Sequence, residues 1–102
     1  PKDKPYYHCL LNIFFNFPPL LFNSVVGELE YRFKIPKEYI DKRMSDIIKR
    51  YMDEPEFFGG PIERGDKKTV AAHLKALKGK NLFYIYEGFL KYYHQKDKRY
   101  KV

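Results

Sequence analysis

The chain has 102 residues, of which 44 % are hydrophobic and 32 % are charged. This length and composition predict one globular domain, residues 1–102, with a short basic tail at 96–102. They exclude a multidomain enzyme and a polytopic membrane protein. The single cysteine, Cys9, excludes a disulfide-stabilised scaffold and agrees with a cytoplasmic location.

Charge is distributed unevenly along the chain. Residues 1–66 hold ten Lys/Arg against eleven Asp/Glu, a net of −1, whereas residues 67–102 hold ten against two, a net of +8. Such a basic segment is typical of a surface that docks on nucleic acid or another acidic partner. It is equally compatible with a solvated surface that keeps a small protein soluble.

The N-terminal third is rich in residues that favour strands. At 6–17 every odd position is apolar, and at 25–35 apolar residues alternate with charged ones. Alternation of this kind predicts a first strand buried on at least one face and a second, half-buried strand. Pro18 and Pro19 would end the first strand, so the pair is expected to form an antiparallel hairpin around residues 18–24.

The remainder of the chain has helical periodicity. Helices are predicted over 37–52, 67–78 and 82–95, with Asp66 as the N-cap of the second and Gly79 as its terminator. The β-rich run at the start of 82–95 and the interior Gly88 leave a second hairpin as the alternative there. The predicted fold class is therefore α+β, an N-terminal hairpin packed under two or three helices. The apolar stripe of the 37–52 helix consists of Ile40, Met44, Ile47, Ile48 and Tyr51, of which Ile40, Met44 and Ile47 are expected to lie in the core.

The longest apolar stretch, residues 9–22, is a candidate for a membrane-spanning segment or a signal peptide. Its fourteen residues fall short of the ~20 needed to span a bilayer, and Asn12, Asn16 and the two prolines interrupt it. It also lacks the small-residue cleavage site of a signal peptide. We therefore expect no membrane contact.

Residues able to support catalysis are scattered. His8, His73 and His94 fall on different predicted elements, and no Cys/His pair has zinc-site spacing. Glu28 and Glu30 share a strand face with two cations, which is typical of ion pairing on a wet sheet. We expect no enzyme activity, no metal and no cofactor.

Two binding functions remain. The first is contact with nucleic-acid backbone, without sequence specificity, through interleaved cations and aromatic rings of the C-terminal third. The second is a protein-interaction module that binds a partner peptide or forms a homodimer through aromatic surface. The residues assigned to nucleic acid are Lys91, Tyr92, Tyr93, Lys96, Lys98, Arg99 and Lys101, and those assigned to a protein partner are Leu20, Leu21, Phe22, Phe57 and Phe58.

Overall fold

The computed structural model describes residues 2–56 and 59–96, and over those residues the protein is helical, without a strand. The chain divides into two compact units, Pro1–Ile48 and Lys49–Val102, and the prediction of a single domain stays a prediction. The elements are α1 (Lys4–Gly27), a π-helical turn (Glu28–Arg32), α2 (Lys37–Asp53), α3 (Gly60–Arg64), α4 (Lys67–Leu77) and α5 (Leu82–Lys96).

The predicted α+β fold is wrong, because the expected N-terminal hairpin is one long helix. The strands expected at 6–17 and 25–35 lie within α1, the π-helical turn and the residues that follow them. The alternating pattern at 6–17 does not distinguish a strand from a helix, because its even positions also include apolar side chains such as Leu10 and Phe14. A segment that is apolar in both parities is equally a helix that is apolar on most sides.

The two prolines do not end α1. Pro18 and Pro19 lie inside the helix, which continues for eight residues beyond them to Gly27. They remove the hydrogen bonds that N–H groups at 18 and 19 would donate to the carbonyls of Phe14 and Phe15.

The second expected strand is the end of the same helix. Glu28 and Arg32, assigned to one wet strand face, are four residues apart on a helix and form an ion pair at 3.5 Å. The Phe33 N–H donates to the Glu28 carbonyl at 3.2 Å, the spacing of a π-helix. Lys34, with φ at 58°, then takes the left-handed conformation and ends the helix.

The helix predicted at 37–52 is confirmed as α2, but its apolar stripe is mostly exposed. Ile40 is buried, whereas 55 % of the Ile47 surface remains accessible. Ion pairs four residues apart, Lys37–Asp41 at 2.7 Å and Lys42–Asp46 at 3.2 Å, line its polar side. Most of the stripe that periodicity assigns to the core is therefore exposed to solvent.

The two C-terminal helices are confirmed as α4 and α5, and the alternative of a second hairpin at 82–95 is wrong. Val70 on α4 is the most deeply buried side chain of the described residues, with 2 % of its surface accessible. Gly79, at φ 81°, follows α4 and allows the chain to turn towards α5.

Asp66 caps α4 as the sequence predicts. Its carboxylate accepts hydrogen bonds from the Thr69 N–H at 3.1 Å and from the Thr69 hydroxyl at 2.7 Å. These bonds to Thr69, aided by the nearby Arg64, lower the pKa of the Asp66 carboxyl below its ordinary value of 3.8.

We expect Asp66→Ala to lower the melting temperature, whereas Asp66→Asn, which keeps a capping oxygen, lowers it less. Because the folded state depresses the carboxyl pKa, its stabilisation is present above pH 3.8 and is lost as the pH falls through the folded-state pKa. The difference between wild type and Asp66→Ala should therefore shrink in acid. Thermal unfolding from neutral to acidic pH checks this, and a difference that stays constant would contradict the role of the charge.

Candidate functional site

The most unusual surface of the protein is that of α1. Every residue from 2 to 20 is exposed, and no residue of the helix is buried. From 5 to 27 the chain carries no Asp, Glu, Lys or Arg. We call the large apolar side chains exposed on this helix the α1 surface: Tyr6, Tyr7, Leu10, Leu11, Ile13, Phe14, Phe15, Phe17 and Leu20.

The α1 surface is large enough to be an interface. Between 36 % and 66 % of each of these nine side chains is accessible. With an aromatic side chain presenting 150–250 Å², the exposed fractions amount to about 1,000 Å². The largest apolar patch on a typical monomer is about 300–600 Å², and each partner in a standard protein complex contributes about 800 Å². A helix that is apolar on most sides also needs cover on more than one side.

One side of α1 carries uncharged polar groups. At 100° per residue, Asn12, Asn16 and Asn23 fall within about 40° of one another around the helix axis. The Asn16 side-chain N–H donates to the Asn12 side-chain oxygen at 2.7 Å, as expected for residues on one face. An amide both donates and accepts hydrogen bonds, so this stripe can pair with a copy of itself.

The helix formed by α1 and the π-helical turn has the length of a membrane span. It covers Lys4–Arg32, 29 residues, and an 18-residue window within it reaches a mean hydropathy of 1.5 with none of the window buried. The core helix of a soluble protein and a signal sequence near the N-terminus meet the same criteria of length and composition. The expectation of no membrane contact stays a prediction, although the fourteen-residue length on which it was based does not hold.

The residues predicted to bind a protein partner fall partly on this helix. Leu20, Leu21 and Phe22 lie on α1 rather than in a loop; Leu20 is exposed and the other two are half-buried. Phe57 and Phe58 lie outside the described residues. Their role in partner binding stays a prediction.

The residues predicted to bind nucleic acid begin on α5. Lys91 and Tyr92 are exposed there, Tyr93 is half-buried, and the Lys91 ammonium lies 3.4 Å from the Glu87 carboxylate. The backbone of α5 ends at Lys96. Lys98, Arg99 and Lys101 lie outside the described residues.

Sequence reasoning missed a polar pair between α4 and α5. The His73 Nδ1 atom and the Tyr86 hydroxyl oxygen are 2.8 Å apart, and the two rings meet edge to face. The two residues lie almost equally far from the turn at Gly79. A short turn between two helices can bring such positions together, so the predicted turn and the predicted helix at 82–95 together contained the signal. No group of three metal-ligating side chains occurs within the described ranges.

A family model described as a domain of unknown function, DUF2520, matches residues 1–93. This match covers all of α1 to α4 and most of α5. No curated protein and no solved structure matches the chain.

Proposed function

The chain belongs to the DUF2520 family, and we propose on the geometry of α1 that it acts as a homodimerisation domain. Its α1 surface would be covered by a second copy of the chain. The observation that carries this proposal is a helix of 24 residues with none buried, exposed at every residue up to Leu20 and uncharged over a run of 23 residues. Water contact of this extent is unfavourable, by about 25 cal/mol for each Å² of apolar surface.

A second copy fits the α1 surface for electrostatic reasons. The chain carries a formal net charge of +7, so two copies repel wherever their charged surfaces face one another. The uncharged run of α1 is where two copies can meet without opposing like charges. In a two-fold dimer each copy presents the same patch, which the self-complementary amides of Asn12, Asn16 and Asn23 allow.

A protein environment suits this helix better than a bilayer does. Pro18 and Pro19 take two donors from the middle of the helix, leaving the carbonyls of Phe14 and Phe15 without their helical partners. A lone helix in lipid has nothing to satisfy those carbonyls, and each unsatisfied group costs several kcal/mol there. Water or polar groups at a protein interface can satisfy them.

Sedimentation equilibrium of the 102-residue chain in detergent-free buffer tests the proposal. We expect a mass of 24.8 kDa, twice the 12.4 kDa of one chain. A chain concentration of about 50 μM suffices, because standard-sized interfaces have dissociation constants of about 1 μM or lower. A mass of 12.4 kDa at that concentration would contradict the proposal.

Co-flotation with lipid vesicles tests whether α1 binds a bilayer instead of a second copy of the chain. We expect the dimer to remain in solution in the presence of phosphatidylcholine vesicles, which carry no net charge and so do not attract the basic segment. Vesicle-bound protein whose α1 amides become protected only on binding would contradict the dimer and favour a membrane-bound helix.

Nucleic-acid binding is retained as the second candidate because the described cations of the basic segment are all exposed. They are Lys67, Lys68, Lys75, Lys78, Lys80 and Lys91. If they neutralise phosphates, affinity for a mixed-sequence single strand should fall with salt, with a log–log slope of about −0.7 for each contact.

The test compares wild type with Lys75→Gln/Lys78→Gln. We expect the variant to reduce the size of this slope by about 1.4 if both lysines contact phosphate, whatever the base sequence. A protein that shifts no oligonucleotide at ~50 mM salt would eliminate this candidate.

A further inference from the structure

A pocket opens between the helices of the C-terminal unit. It has a volume of about 300 Å³, at the small end of the range for ligand sites. Its walls include Pro61 and Ile62 of α3 and Phe89 and Tyr93 of α5. Such walls of rings and short apolar side chains suit a flat apolar group.

The His73–Tyr86 pair supplies the polar end of this pocket. In either neutral tautomer of His73, the Tyr86 hydroxyl uses one hydrogen bond on Nδ1 and keeps another for a ligand. When the Tyr86 O–H donates to Nδ1, the hydroxyl oxygen can still accept a hydrogen bond from a ligand. When Nδ1–H donates to the Tyr86 oxygen, the hydroxyl can still donate one to a ligand. Burial raises the pKa of Tyr86 above its ordinary value of 10.0, so the hydroxyl keeps its proton at neutral pH.

The charge of the lining restricts the ligand further. Among the described residues that line the pocket, none is Asp, Glu, Lys or Arg. A charged ligand would therefore lose hydration without gaining an ion pair, which is unfavourable. A hydroxyl on the ligand matches the pair best, because it can donate or accept as the tautomer of His73 requires.

We propose that this pocket binds a small uncharged aromatic molecule that carries a hydroxyl group, with the ring between Ile62 and Phe89 and the hydroxyl on Tyr86. This site is separate from the α1 surface. It therefore stands or fails independently of dimerisation. Pockets of this kind, apolar with a few converging polar groups, are the usual form of small-molecule sites.

Titration of the full chain with phenol, followed by NMR of backbone amides and side-chain methyls, tests the proposal. We expect saturable shifts confined to residues 59–62, 73 and 86–93, with a dissociation constant of about 1 mM, since a ligand of seven heavy atoms gains only modest affinity. Toluene, which has the ring without the hydroxyl, should bind about fivefold more weakly. Benzoate, which carries a charge, should not saturate.

Two variants locate the hydroxyl contact. Tyr86→Phe should weaken phenol binding about fivefold and leave toluene binding unchanged, because it removes only the hydrogen bond. Tyr84→Phe, the same change at an exposed position on α5, should leave both ligands unaffected. Absence of saturation by phenol, saturation at other residues, or equal binding of phenol and toluene would each overturn the proposal.

Discussion

Replacing Phe14 with aspartate is expected to convert the dimer into monomers. Phe14 is central in the uncharged run of α1, and 63 % of its surface is accessible in the single chain. In the proposed dimer that surface is buried, so an aspartate there would be an unpaired charge in an apolar interface. We expect the dimer dissociation constant to rise at least a hundredfold, which is about 2.7 kcal/mol. Sedimentation equilibrium over a concentration series measures it.

A matched control is available on α5. Tyr84 is also an exposed aromatic residue, with 72 % of its surface accessible, and it lies in the other compact unit. Tyr84→Asp introduces the same charge in place of a ring, and we expect it to leave the mass at that of the dimer. If Phe14→Asp and Tyr84→Asp have the same effect, the assembly does not depend on α1.

Replacing Val70 with aspartate is expected to unfold the C-terminal unit. Val70 is buried to 2 % accessibility on α4. A carboxylate at that position would have to enter water or stay protonated, and either outcome breaks the packing around it. We expect the free energy of unfolding to fall by about 4 kcal/mol or more. Loss of dispersed methyl and amide signals from residues 59–96 in NMR spectra would show it.

The neighbouring Ala71 provides the control for Val70. Ala71 is exposed on the same helix, so Ala71→Asp adds the charge without burying it. We expect a change within about 0.5 kcal/mol, as for other surface substitutions. A native spectrum for Val70→Asp would mean that α4 does not pack through this side chain.

The helices that sequence periodicity predicts correctly are those with distinct apolar and polar sides. In α2, Ile40 and Met44 recur at helical spacing while Lys37 and Asp41 pair four residues apart, so only a helix satisfies both patterns. Asp66 marks the start of α4 because its short carboxylate suits an N-cap. Local chemistry therefore decides these elements.

The N-terminal helix could not be predicted in the same way because α1 has no charged side, and its few asparagines contrast only weakly with the apolar residues around them. Phe14 and Phe15 are adjacent, both apolar and both exposed, so neither a period of 2 nor one of 3.6 is favoured. Pro18 and Pro19 predict the end of a strand, yet both lie inside α1, although proline usually disrupts a helix interior. The exposure of Ile47 could not be predicted either. Periodicity predicts which side of a helix is apolar but not whether another element covers that side.

The candidate sites were predictable to different degrees. The high content of aromatic residues predicts an interface, and the proposal assigns that interface to the exposed apolar side chains of α1. The pocket depends on His73 and Tyr86 meeting across a helix pair, thirteen residues apart. That contact requires α4 and α5 to pack against each other, which follows only once 82–95 is known to be a helix.

The most direct measurement of the central claim is an isotope-filtered NOE experiment on a mixture of labelled and unlabelled chains. It detects only contacts between different copies. We predict NOEs between copies from the rings of Phe14 and Phe17 and from the methyls of Leu10, all on the α1 surface. Absence of NOEs between copies from α1, in a sample whose α1 rings show NOEs only within their own chain, would contradict dimerisation through this helix.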